Sequence, residues 1–131
     1  MKAPTPPPAI QSALDAMPDD VRAALLPVRD LIYKLATELS VGRIEETLKW
    51  GQPSYTTPDT KVATPIRLGV SKTGRPAIFT HCQSTVMTNF QNTCPPEFEF
   101  DGNRALYLEP AGDIAMEKIA PLIGAALTYR R

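Results

Sequence analysis

The chain has 131 residues, with 14 acidic and 14 basic side chains and a formal net charge of zero. This length suits one domain, because two halves would each be too small to bury a useful core. A neutral chain lacks the long-range attraction to phosphate that nucleic-acid binders use, so a DNA or RNA binder is not expected. No apolar run approaches the roughly 20 residues that cross a bilayer, so no membrane span is expected either.

The N-terminus and the two cysteines favour a cytoplasmic protein. Residues 1–8 contain four prolines and no apolar stretch after Lys2, so we expect no secretory signal here. We predict that residues 1–8 are a Pro-rich disordered leader and that residues 9–131 form a single domain. Cys82 and Cys94 form no CxxC pair, which gives no indication of a zinc knuckle or a redox site.

Hydrophobic periodicity predicts two helices after the leader. Residues 10–17 follow helical spacing up to Pro18. A longer amphipathic helix begins at Asp19 or Asp20 and continues to about Ser40. Pro27 lies inside this second helix and is expected to kink or break it.

Two more helices are predicted further along the chain. Ser84 is expected to cap a short helix that ends before Pro95-Pro96. The last helix runs from Asp113, a plausible N-cap, to about Tyr129. Its predicted apolar stripe consists of Ala115, Ile119, Leu122, Ile123, Ala126 and Leu127.

Two β-hairpins are predicted between these helices. Residues 64–70 and 76–82 are rich in strand formers and flank a turn sequence. A second hairpin surrounds Asp101-Gly102, where a three-residue loop ending at Asn103 would set Phe98 opposite Leu106 and align the apolar faces. The element order lacks regular βαβ alternation. It therefore predicts an α+β fold, with an antiparallel sheet of about four to five strands and helices packed mainly on one face.

Four segments resemble a known family in the same order along the chain. They are the run EETLKWGQPSY at residues 45–55, IRLG at 66–69, FTHCQ at 79–83 and GNRA at 102–105. Together they are similar to the YdhG-like family of small bacterial domains of unknown function. The resemblance implies a compact α+β fold, and it also implies a more distant likeness to frataxins, which donate iron to iron–sulfur cluster assembly.

A frataxin-like role would require an acidic face on the early helices, because hard iron prefers carboxylate oxygens. These helices carry an ordinary density of acidic residues interspersed with basic ones: Asp15, Asp19, Asp20, Asp30 and Glu38, with Arg22, Arg29 and Lys34. No cofactor is therefore expected, with iron as the alternative.

The family-like segments also contain the candidate binding residues. Trp50, Gln52 and Tyr55 are the expected walls of a small cleft, although Trp50 would equally suit a core position. Lys49, Arg67 and Arg104 are candidate anion contacts, with solvated or ion-paired side chains as the alternative.

His81 and Gln83 are candidate hydrogen-bonding groups. His81 and Cys82 would point to opposite faces of a strand, so we expect one to be buried and the other exposed. That arrangement argues against a site shared by the two side chains. A His-rich metal site within one subunit is excluded because His81 is the only histidine in the chain.

These observations favour a non-enzymatic binding module for a small anionic ligand or a protein partner. The alternatives are a frataxin-like iron-binding protein and an enzyme that uses Cys82 or His81. A sheet face without helix cover would also allow a homodimer.

Overall fold

The computed structural model describes residues 3–93, 98–110 and 116–131. Within these ranges the helices are α1 (Pro8–Asp15), α2 (Asp19–Glu38), α3 (Val86–Thr93) and α4 (Met116–Leu127). The strands are β1 (Glu45–Lys49), β2 (Gln52–Thr56), β3 (Ile66–Val70), β4 (Pro76–Thr80), β5 (Glu99–Asp101) and β6 (Ala105–Tyr107). None of these helices combines the length and the apolar character that a membrane span requires.

The strands form one antiparallel sheet in the order β1-β2-β3-β4-β6-β5. The predicted α+β class is confirmed, and so is the hairpin that becomes β3 and β4. The sheet has six strands instead of the expected four to five, because the β1–β2 hairpin was not predicted.

Helices α2 and α4 bury the apolar stripes that their periodicity predicts. In α2, Val21, Leu25, Val28 and Ile32 are all fully buried. The described part of the α4 stripe is buried throughout: Ile119, Leu122, Ile123, Ala126 and Leu127. The proposed cap Asp113 and Ala115 lie outside the described residues. These two stripes belong to one core cluster with the buried sheet residues, and their burial stabilises the fold.

The register of the sheet separates its side chains into two faces. On the core face, Tyr55, Ile66 and Leu68 are fully buried, and Leu68 is aligned with Ile78, Leu106 and Phe100 across β4, β6 and β5. The opposite face, called here the open face, carries a second aligned row: Thr47, Ser54, Arg67, Phe79, Ala105 and Asp101. Every second residue of a strand shares a face, so polar residues of distant segments become neighbours on the open face.

Three local predictions differ from the structure. Helix α2 continues through Pro27, so of the predicted kink or break the break does not occur, because burial of the stripe on both sides of the proline outweighs the lost hydrogen bond. Helix α1 begins at Pro8, inside the predicted leader, since proline suits the first turn of a helix. The Ser84 hydroxyl donates to the carbonyl of His81 at 2.8 Å instead of capping α3.

The β5–β6 hairpin has a three-residue loop, as predicted, but its register is shifted by two residues. Asp101 is paired with Ala105, which leaves residues 102–104 in the loop and sets Phe100, not Phe98, opposite Leu106. A shift of two keeps every side chain on its predicted face, so burial alone could not distinguish the two registers.

Candidate functional site

A polar groove crosses the open face, and Arg67 lies at its centre. One lobe, called the loop lobe, has a volume of about 390 Å³ and is lined by Gln52, Arg67, Val70, Ser71, Lys72, Thr73, Phe79, Asp101, Arg104 and Tyr107. The other, called the Trp lobe, has a volume of about 410 Å³ and is lined by Glu45, Thr47, Lys49, Trp50, Ser54, Thr56, Pro65, Arg67 and His81. Arg67 is the residue that the two lobes share.

The Arg67 side chain is half-buried and is held by two neighbours. Its Nη1 donates to Gln52 Oε1 at 2.9 Å, and its guanidinium carbon lies 5.3 Å from the centre of the Phe79 ring. No carboxylate forms an ion pair with it in the described parts of the chain. Desolvation lowers the pKa of Arg67 from its ordinary value, although an arginine stays protonated at neutral pH. A partly desolvated cation without an anionic partner is well suited to receive one from a ligand.

The other charges of the open face are largely paired within the protein. Arg75 binds Glu99 at 2.8 Å and Glu109 at 3.1 Å, and Arg104 lies 3.5 Å from Asp101. In the Trp lobe, Glu45 lies 3.8 Å from Arg43. Within the same described ranges no ion pair involves Lys49 or Lys72, so the residual charge of the groove is positive.

Gly69 makes room for the Gln52 side chain beside Arg67. A Cβ atom added at Gly69 would lie 2.7 Å from Gln52 Nε2 and 2.9 Å from Gln52 Cδ, both closer than real contacts allow. Glycine at this position of β3 therefore lets Gln52 lie flat across the sheet and reach the Arg67 guanidinium.

Trp50 lies at the tip of the β1–β2 hairpin and not in the core. Lys49 is paired with Gln52, so Trp50 and Gly51 form a two-residue loop, and both have positive φ, of 55° and 75°. Such a loop matches the twist of the flanking strands. The Trp50 side chain is 85% exposed, so its alternative interpretation as a core residue is wrong.

The segment after β4 lies at one end of the groove. His81 and Cys82 are both exposed, in contrast to the prediction of one buried and one exposed residue, because β4 ends at Thr80 and its alternation stops there. His81 lines the Trp lobe, and its Nδ1 accepts a hydrogen bond from the Gln83 amide at 3.1 Å. Gln83 itself lines neither lobe. No group of three or more His, Cys, Asp or Glu side chains that could hold a metal ion occurs in the described segments.

Tyr55 lies on the core face and is separated from the groove by the sheet. Its hydroxyl donates to Glu46 Oε2 at 2.6 Å, and Glu46 also accepts two hydrogen bonds from Arg29 at 2.6 and 2.8 Å. The Tyr33 hydroxyl donates to the same carboxylate at 3.3 Å. Tyr55 was expected to line the cleft, but it is instead part of this buried network.

The buried network perturbs the pKa of its members. The hydrogen bond to Glu46 raises the pKa of Arg29. Burial raises the pKa of Tyr33 to about 12, and the pKa of Tyr55 is raised further for the same reason. The burial of Arg29 was not predicted, although its position in the sequence indicates it. Arg29 lies four residues after Leu25 and three before Ile32, so it falls within the buried stripe of α2.

Six of the eight candidate residues line the groove: Lys49, Trp50, Gln52, Arg67, His81 and Arg104. The other two, Tyr55 and Gln83, lie elsewhere. Lys72, Phe79 and Tyr107 also line the groove and were not predicted from the sequence. Phe79 and Tyr107 share the open face with Arg67 through the strand register, which the sequence alone did not give for β6.

Comparison with known proteins identifies the fold. No model of a known protein family matches the chain, and no curated protein sequence matches it. Among solved structures, the chain is similar to the crystal structure of YdhG, a DUF1801-family protein from Bacillus subtilis, with a TM-score of 0.58 and 15% sequence identity. The match covers 89% of this chain and 86% of that chain. The chain therefore has the α+β fold of a YdhG-like domain, as the four sequence segments predicted.

Proposed function

We propose that this protein is a non-enzymatic module that binds a small anionic ligand in the groove around Arg67. The observation that carries the proposal is the state of that guanidinium: half-buried, fixed by Gln52 and Phe79, and without a carboxylate partner in the described residues. An arginine held in this way can donate two parallel hydrogen bonds to a carboxylate or phosphate.

The surrounding charges support the same assignment. Lys49 in the Trp lobe and Lys72 in the loop lobe add positive charge, whereas the acidic side chains of both lobes have arginine partners. Each lobe has a volume in the range of small-molecule pockets. An anion bound at Arg67 would therefore meet a favourable potential from either side.

The arrangement favours binding over catalysis. His81 Nδ1 is engaged by the Gln83 amide, and Cys82 is not among the residues that line either lobe. Iron carriage would need clustered carboxylates, and the described residues offer no such cluster. We place the module in the cytoplasm of a bacterial cell, where the exposed free thiol of Cys82 would stay reduced.

Calorimetric titration of the purified protein with inorganic phosphate and with citrate tests the proposal. Arg67→Ala should weaken saturable binding at least about tenfold, since a charge-assisted hydrogen bond contributes roughly 1.5–3 kcal/mol. Arg22→Ala is the matched control, because Arg22 lies on α2 and pairs with Asp19. Equal binding by Arg67→Ala and the unmodified protein, or no binding of any anion, would contradict the proposal.

A further inference from the structure

We propose that the ligand carries a planar aromatic ring beside its anionic group, and that this ring stacks on Trp50 while the anion binds Arg67. The ligand class is then an aryl phosphate or aryl carboxylate, with mononucleotides as its larger members. This inference rests on the proposed function and adds a second recognition element to the same groove.

The position of Trp50 is not explained by folding. A two-residue loop with positive φ at both positions strongly prefers Asn, Asp or Gly, whereas a bulky side chain with positive φ is strained. Trp50 also remains 85% exposed, so it contributes little hydrophobic burial in return. An exposed aromatic residue in an unfavourable backbone conformation is the kind of feature that function explains better than stability.

Trp50 also provides the aromatic surface that remains open beside the groove. The Arg67 guanidinium lies 5.3 Å from the Phe79 ring, and that of Arg75 lies 5.2 Å from the Tyr107 ring. Both rings of the loop lobe are therefore already covered by cations. No ring or cation contact involves Trp50 within the residues that the structure describes.

The Trp lobe joins this aromatic surface to the anion site. Trp50 and Arg67 line the same cavity of about 410 Å³, and so do Ser54 and Thr47, which lie in the same row of the sheet as Arg67. Their hydroxyl groups can bond polar atoms along the ligand. A ring on Trp50 with an anionic group directed towards Arg67 would use both ends of this lobe, and base–aromatic stacking is a strong, sequence-independent source of affinity.

Phenyl phosphate and cyclohexyl phosphate form the matched pair of probes, because they differ in ring planarity and share the anion. Trp50 is the one tryptophan of the chain, so its fluorescence reports on the site directly. Phenyl phosphate should quench that fluorescence and bind at least about fivefold more tightly than cyclohexyl phosphate. Calorimetry with Trp50→Ala and Trp50→Asn should show the preference for the aryl compound abolished and residual phosphate binding retained. Leu26→Ala, an exposed apolar position on α2, is the control.

The outcomes separate this inference from the proposed function. Equal affinities for the two probes, both weakened by Arg67→Ala, would overturn the aromatic preference and leave the anion module intact. Failure of both probes and of inorganic phosphate to bind would overturn both proposals. Concentration-dependent dimerisation that Trp50→Ala abolishes would overturn the aromatic inference as well, by assigning the exposed ring to a second copy of the chain.

Discussion

Arg29 and Glu46 form a buried, doubly hydrogen-bonded ion pair that joins α2 to the edge strand β1. Their side chains are 5% and 3% exposed, so removal of one partner leaves the other charge desolvated. Arg29→Met should therefore lower the free energy of unfolding by about 3–5 kcal/mol. Urea denaturation followed by circular dichroism measures this loss.

The pair between Arg22 and Asp19 provides the control for that measurement. Asp19 is 97% exposed, and Arg22 also donates to the carbonyls of Leu14 and Met17, so Arg22→Met should cost only about 1–2 kcal/mol. Equal losses for the Arg29 and Arg22 variants would show that burial of the Arg29–Glu46 pair does not determine its contribution.

The tyrosines that donate to Glu46 predict a loss of stability in alkali. Burial raises the pKa of Tyr33 to about 12, against an unfolded value of about 10. The folded state therefore holds this proton more tightly, and the resulting stabilisation is complete below about pH 10 and is lost as the pH rises through 12. Urea titrations across this window should give a steeper decline for the unmodified protein than for Tyr33→Phe. Parallel declines would contradict the assigned pKa.

At the scale of elements, the β1–β2 hairpin places Trp50, the proposed contact for the ligand ring, where a turn residue would be more stable. Asparagine tolerates positive φ, and Asn-Gly is a preferred pair for a two-residue hairpin loop. Trp50→Asn should therefore raise the free energy of unfolding by about 1 kcal/mol while it weakens binding of phenyl phosphate. Thermal or urea denaturation measures the first effect. A destabilised Trp50→Asn variant would indicate that Trp50 has a structural role.

The contact between the Gln52 side chain and Gly69 leads to a prediction about ligand affinity that leaves stability nearly unchanged. The Cβ of Gly69→Ala would collide with the flexible end of Gln52, which must leave its bond with Arg67. We expect a loss of phosphate affinity of about threefold or more, with less than about 1 kcal/mol change in stability. Gly124→Ala on α4 is the control, because its Cβ would make an ordinary 3.7 Å contact with Leu39. Unchanged affinity in Gly69→Ala would show that Gln52 does not position Arg67.

The elements that periodicity predicts are those with a consistent apolar face. Helices α2 and α4 and the β3–β4 hairpin have such faces, and the structure confirms them. Strand β1 places charged Glu46 on the core face, and β2 contains Pro53, so the alternation typical of strands was hidden. Glu46 is tolerated there because Arg29 and Tyr55 satisfy it, a long-range arrangement that local patterns do not encode.

At the scale of the whole molecule, the sheet divides the family-like segments between two tasks. On the core face, Glu46 of β1 accepts hydrogen bonds from Arg29 of α2 and from Tyr55 of β2, whereas Lys49 and Gln52 line the groove. The sequence predicted most of the residues that meet around Arg67, because they lie at strand ends and turns. It could not assign Tyr55 to the other face, since that assignment depends on the register of two strands that the pattern did not reveal.

Anion binding to the open face of the sheet through Arg67 is the proposal on which the others depend. Heteronuclear NMR spectra recorded during a phosphate titration test it most directly, because every backbone amide reports on its own surroundings. The amide chemical-shift changes caused by phosphate should cluster at the residues lining the two lobes. These changes should be lost in Arg67→Ala and retained in Arg22→Ala. Saturable shifts confined to the helical side of the domain, or unchanged by Arg67→Ala, would contradict the claim.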